Sequence, residues 1–191
     1  ASLRDYWQAG QEGIQHYDFN YLWTTNPYLT LFENTNGFDK NRFLGNASAT
    51  YDFTDKLSLR VRLGADIFDD KRTFRRAFST NRRVFGGYRE DQISFQEINT
   101  DFLLSYADRL GSQWTYSLSA GANRMNQEIS NAYTEANQLA LPGIYNLENS
   151  RVPLRGASQE FSKRINSLYS FGNLAFKDQL FIELTFRNDW S

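Results

Sequence analysis

The chain has no cysteine, which excludes structural disulfides, thiolate catalysis and cysteine-ligated metals. It has one histidine, His16. Histidine metal sites and catalytic triads need partners that the sequence does not supply, so His16 reads as a polar loop residue. No run of about 18 apolar residues occurs, and a transmembrane helix is therefore excluded. Charge of one sign is also missing. The net charge is −1, so no global field points toward nucleic acid or anionic lipid. The start, Ala1-Ser2-Leu3-Arg4, lacks the basic and apolar regions of a signal peptide. The end, Asn188-Asp189-Trp190-Ser191, stops inside a strand-like pattern. The chain is expected to be a fragment.

Aromatic residues are what the chain has in quantity. They make up 16% of 191 residues, in a sequence whose mean hydropathy is −0.62. Many aromatics in a polar chain suit a protein whose apolar residues are spread thinly over one surface.

The hydrophobic period is two, not 3.6. Leu57, Leu59, Val61, Leu63, Ala65 and Ile67 alternate with Ser58, Arg60, Arg62, Gly64 and Asp66. A strand sends alternate side chains to opposite faces, so this one has an oily side and a charged side. Residues 41–53 repeat the pattern, with Phe43, Tyr51 and Phe53 opposing Arg42, Asn46 and Asp52. Thr54-Asp55-Lys56 joins the two as a tight hairpin. A second pair is expected at 92–107 and 113–127. There Phe102, Leu104, Tyr106, Trp114, Tyr116 and Leu118 are apolar, and Asp101, Ser105, Ser117 and Ser119 are polar. A third pair is expected at 163–177 and 180–190. Leu180, Ile182, Leu184 and Phe186 mark one face of the last strand, whereas residues 163–177 show two competing parities.

The connections alternate in expected length. Residues 54–56, 108–112 and 178–179 are short, and 69–91 and 128–162 are long, with 1–39 mostly a further external segment. Long irregular loops are uncommon in compact domains. Short turns alternating with long loops mark outer-membrane barrels. The row Arg60, Arg62 and Asp66 would cost on the order of several kcal/mol per charge in a dry core; in a wide barrel it faces a wet lumen. Eleven residues at about 3.3 Å span roughly 36 Å, and a tilt of about 40° brings this near the apolar band of about 25 Å. Tyr51, Phe53, Tyr106, Trp114, Tyr116 and Phe176 collect near the short turns, as an aromatic girdle would. Alternation alone leaves a soluble β-sandwich or jelly roll open.

Several strings carry a resemblance. They are Asn26-Pro27-Tyr28 with Asn34-Thr35-Asn36-Gly37-Phe38-Asp39, and Gly45 through Asp55 followed by Leu57-Ser58-Leu59. Further on come Gly143-Ile144-Tyr145-Asn146-Leu147 with Asn149-Ser150, and Phe176 through Phe181 closing on Arg187-Asn188-Asp189-Trp190-Ser191. In that order they resemble SusC/RagA-family TonB-dependent transporters of the bacterial outer membrane. The resemblance implies that residues 1–191 are part of the receptor's β-barrel domain. That part is an all-β antiparallel transmembrane segment of about six strands from a 22-stranded barrel, with long extracellular loops. Neither plug nor TonB-box motifs occur in it. It further implies active import of oligosaccharides or peptides with a SusD-like surface lipoprotein as lid, TonB acting through an N-terminal region, and pairing of two transporter complexes. No enzymatic role, cofactor or nucleic-acid partner is expected. A passive porin, an adhesin or a soluble binding module are the rival readings.

Candidate contacts follow from residue type. Tyr6, Trp7, Tyr17, Tyr21 and Trp23 crowd the first segment and could stack on sugar rings or meet a lid, or simply pack on one another. Arg72, Arg75, Arg76, Arg82 and Arg83, with Lys71 and Arg89, are interleaved with Phe74, Phe78, Phe85 and Tyr88 in an expected external loop. Lipopolysaccharide phosphates, an anionic substrate or acidic groups of a lid would suit them, as would internal pairing with Asp69, Asp70, Glu90 and Asp91. Arg60, Arg62 and Asp66 could line the channel, touch a plug or pair structurally. Asp66, Asp69 and Asp70 match no fixed Ca²⁺ loop template.

Overall fold

The computed structural model describes residues 2–16, 23–177 and 179–191. Two short strands, β1 (Trp7–Gln8) and β2 (Gln11–Gln15), pair with each other, and a short helix, α1 (Pro27–Phe32), follows. Then come β3 (Asn36–Thr54), β4 (Leu57–Thr80), β5 (Arg83–Leu110), β6 (Trp114–Ala136), β7 (Arg155–Phe176) and β8 (Leu180–Trp190). These six form one antiparallel sheet in sequence order, each strand bonded to its neighbours in the chain. Such a meander needs only hairpin connections.

The chain divides into two compact units. The first comprises Ala1–Asn41, Asp69–Ser94 and Ser130–Glu160, the second Arg42–Phe68, Phe95–Ile129 and Phe161–Ser191.

The second unit contains the strand stretches with the clearest alternation. Its turns are short, at 55–56 and 111–113. Thr54 Oγ1 accepts from the backbone N–H groups of Lys56 and Leu57 and so closes the first of them. The pairing of β7 with β8 resolves the two parities of residues 163–177. Leu174 lies opposite Ile182, Gly172 opposite Leu184 and Phe176 opposite Leu180. Directly opposed residues share a face, so the even positions of β7 join the oily row of β8. Tyr169, opposite Arg187, belongs to the polar face.

The first unit differs from the expectation. The segment 69–91, expected as an irregular loop, is strand except for a turn at Asn81–Arg82. Arg72, Arg75 and Arg76 therefore stand on β4, Arg83 opens β5, and only Arg82 is a turn residue. The backbone continues because three local devices keep the hairpin in register. Arg82 adopts φ 63°, Ser79 φ 63° and Gly86 φ 61°. At Gly86 a Cβ would stand 2.5 Å from the Arg76 carbonyl oxygen, so only glycine permits this bulge-like approach. The expected loop 128–162 shrinks in the same way, because β6 runs to Ala136 and β7 begins at Arg155. What remains, 137–154, is pinned by Asn149, whose Nδ2 donates to the carbonyls of Leu141 and Ile144. Residues 1–39 contain the β1–β2 pair, α1 and the start of β3.

Asn26 explains α1. Its side-chain oxygen accepts from the N–H groups of Tyr28 and Leu29, and Pro27 occupies the first turn. This is the helix start that Asn-Pro favours. The buried Asn26 also donates through Nδ2 to the carbonyls of Leu3 and His16. The small core of this unit is Tyr88, Ala136 and Leu139, with Phe78, Tyr145 and Leu147 packed against it.

Candidate functional site

The second unit presents two unlike faces. Phe43, Tyr51, Phe53, Leu63, Phe102, Leu104, Leu118, Leu184 and Phe186 are all exposed, Leu184 to 71%. Burying one such side chain stabilises a fold by about 1.5–3 kcal/mol, while a whole domain is stable by only about 5–15 kcal/mol. Leaving a row of them in water is therefore not a small cost. A contiguous apolar surface of this kind marks contact with something other than water.

Aromatic pairs sit within this face. Trp114 lies 4.5 Å from Phe176 between ring centroids, Tyr51 5.0 Å from Phe53, and Tyr106 6.1 Å from Tyr116. Tyr106 also donates its phenol to Asp108, which pairs with Lys56 at 2.9 Å. Tyr106 thus has an apolar body beside a polar anchor, which suits a lipid–water boundary.

The opposite face holds several of its charges in pairs. Arg42 binds Asp66 with two parallel hydrogen bonds at 2.8 and 2.7 Å, the strong planar geometry for this pair. Arg62 lies 3.9 Å from Asp101. Asp101 is 5% exposed and accepts from the Tyr169 phenol at 2.6 Å. The Tyr169 ring lies over Gly121, where a Cβ would come within 2.6 Å of its phenol oxygen. The glycine is the slot that lets Tyr169 reach Asp101. Sequence reading placed Asp101 on this face but left the two parities of residues 163–177 undecided, so Tyr169 could not be assigned to it. Arg60 is exposed. Asp66, Asp69 and Asp70 are held by Arg42, Ser94 and Arg72 respectively, and no metal-holding cluster occurs among the described residues.

In the first unit the candidate residues separate. Tyr6 stacks near Phe32 and donates to Glu33, and Trp7 packs on Tyr6. Trp23 is 71% exposed. Tyr17 and Tyr21 lie outside the described residues. Glu33, which the sequence did not single out, accepts from two phenols, Tyr6 at 3.0 Å and Tyr145 at 3.3 Å. Burial, reinforced by Glu33, pushes the Tyr145 phenol well above its ordinary range. His16 Nδ1–H donates to the Asp5 carbonyl at 2.6 Å.

The basic hairpin is partly self-neutralised. Arg72 donates to Asp70, whose carboxyl is held below its usual range by those hydrogen bonds. Arg83 pairs with Glu135 at 3.1 Å, and Arg89 grips Asp91 with two hydrogen bonds while lying 4.2 Å over the Tyr133 ring. Arg75 stands 5.6 Å over Tyr145. Among the described residues Arg76 has neutral partners only, the side chain of Asn36 and the Arg75 carbonyl.

Neither a protein-family model nor a curated protein sequence matches the chain. Solved structures do match it. The RagAB peptide transporter superposes with a TM-score of 0.71 at 16% identity, over 86% of this chain and 19% of that one. The RagAB peptide importer in its open-open and closed-closed states gives a TM-score of 0.60 in each case, at the same identity and coverage. The chain thus spans about a fifth of the length of the transporter it matches. The likeness is one of fold: the six-stranded antiparallel sheet superposes on part of the RagAB β-barrel.

Proposed function

We propose that this chain is part of the wall of an outer-membrane active importer of the SusC/RagA kind. The second unit's oily rows meet lipid acyl chains, and its paired polar rows face a wet conduit. The observation that carries this reading is the exposed apolar face itself. A one-layer sheet with Leu184, Phe186, Leu118 and Phe102 uncovered needs a hydrocarbon solvent for that side, and a sheet spans hydrocarbon as part of a closed barrel. A soluble β-sandwich would cover the same rows with a second layer. The fold match to the RagAB transporter favours import over passive diffusion or adhesion.

The finer parts of the proposal rest on the likeness alone. They are uptake of peptides or oligosaccharides, a SusD-like lipoprotein over the mouth, drive from TonB through the N-terminal part of the transporter, and pairing of two complexes. Lipid and lipopolysaccharide are the surroundings of the wall. The work assigned to the chain is transport, not catalysis, with no cofactor.

Fractionation of cells expressing the full reading frame tests this reading. The protein is expected in the detergent-resistant outer-membrane fraction, and uptake of its cargo is expected to stop when TonB is removed. A protein folded in the soluble fraction without detergent would end the membrane reading. Uptake indifferent to TonB would leave the barrel and end active import.

A further inference from the structure

We infer that the hairpin of β4 and β5 with β6 carries a binding recess for an oxyanion, the carboxylate or phosphate group of a small cargo. A cavity of about 320 Å³ is lined there by Phe74, Arg76, Arg83, Gly87, Arg89 and Glu135, within the size range of small-molecule sites. Three guanidinium groups meet one carboxylate in the lining. Arg83 is balanced by Glu135 and Arg89 by Asp91. Among the described residues Arg76 pairs with no carboxylate, so the lining keeps one positive charge that they do not balance.

The donors are also available. A guanidinium carries five N–H groups in a planar fork. Both hydrogen bonds of Arg76 leave from Nη1, to Asn36 and to the Arg75 carbonyl. Arg83 likewise donates from Nη1, to Glu135, whose carboxylate also accepts from the Asn137 amide. Among the described residues, Nε and Nη2 of each donate no hydrogen bond. Charge-assisted bonds from such forks are the strong ones for carboxylate and phosphate. Gly87 matters because a Cβ there would stand 3.3 Å from Arg83 Nη1; its absence lets the guanidinium lie close to the strand. Arg89, set between the Tyr133 and Phe74 rings at 4.2 and 5.8 Å, forms a fixed wall beside the recess, and Phe74 gives the rest of a ligand an apolar surface.

All the lining residues, Tyr88 among them, belong to the first unit. That the bound group is part of a cargo rests on the importer reading.

The test uses the protein from its full reading frame, in detergent, by titration calorimetry. Three probes are compared: a short N-acetylated peptide with a free C-terminal carboxylate, the same peptide amidated, and inorganic phosphate. At least one anion is expected to bind ten or more times tighter than the amide. Arg76→Gln should weaken it at least tenfold, Arg76→Lys less, and Arg82→Gln on the turn not at all. Peptide binding alone identifies a carboxylate cargo, phosphate binding alone a phosphorylated one, and both a general oxyanion site. Equal binding of the amide, no binding of either anion, or an Arg76→Gln protein with unchanged affinity would overturn the inference. Binding is read without transport. A protein that fractionates with the outer membrane yet ignores these anions sinks the recess alone.

Discussion

Single side chains set how the segments of the first unit are tied together. Glu33 is the best case. It ends α1 and takes one phenol from Tyr6 and one from Tyr145, so residues far apart in sequence converge on one carboxylate. Burial and then Glu33 raise the Tyr145 phenol. The sign follows directly. An unfolded chain releases a tyrosine proton near pH 10, while folded Tyr145 holds its proton to higher pH. The stability tied to the neutral phenol is therefore complete below about pH 10 and is lost as pH climbs through the raised value. Ultraviolet titration should show a late-ionising tyrosine that vanishes in Tyr145→Phe. In Glu33→Gln it should ionise earlier, though still late because burial remains. A Tyr145→Phe titration identical to the unmodified protein would remove the claim.

At the level of strands, the face a residue occupies decides what it tolerates. On β8, Leu184 belongs to the oily row and its neighbour Thr185 to the polar one, opposite Phe171. An arginine facing lipid costs about 2–4 kcal/mol at mid-depth, falling toward zero near the interfaces, whereas on the wet side it meets water. Leu184→Arg should lower the yield of folded, heat-modifiable protein in outer membranes well below that of Thr185→Arg. Equal yields would mean that the two faces meet the same solvent. These faces were legible in sequence because strict alternation survives wherever one side meets a single solvent, as in Leu57 through Ile67. The length of the strands was not legible. Beyond Phe68 charged residues fall on both parities of β4, Asp69, Lys71 and Arg75 on one and Asp70, Arg72 and Arg76 on the other, so no alternation of oily and polar residues marks a strand. The turn at Asn81–Arg82 lacks the Asn-Gly or Asp-Gly signature, so nothing local announced a hairpin. The recess was only half visible. The arginines stood out as a group, but their pairing depends on Glu135, some fifty residues on from Arg83, and no spacing rule connects the two.

On the scale of the whole molecule, two units of one sheet obey different rules. One has a small buried core around Tyr88, Ala136 and Leu139. The other buries Leu103 but keeps a long row of large apolar residues outside. On the importer reading, one chain serves two media. The four tryptophans report on this, because Trp7 and Trp23 belong to the first unit while Trp114 and Trp190 belong to the second. Trp114 and Trp190 occupy oily-row positions, 37% and 45% exposed. In proteoliposomes made with lipids brominated on their acyl chains, heavy-atom contact should quench Trp114 and Trp190 and spare the other two. The Trp114→Phe/Trp190→Phe protein should lose most of the quenching, and Trp7→Phe/Trp23→Phe should keep it. The reverse pattern would assign hydrocarbon to the unit with the packed core, leaving the exposed rows of the other without a solvent to explain them.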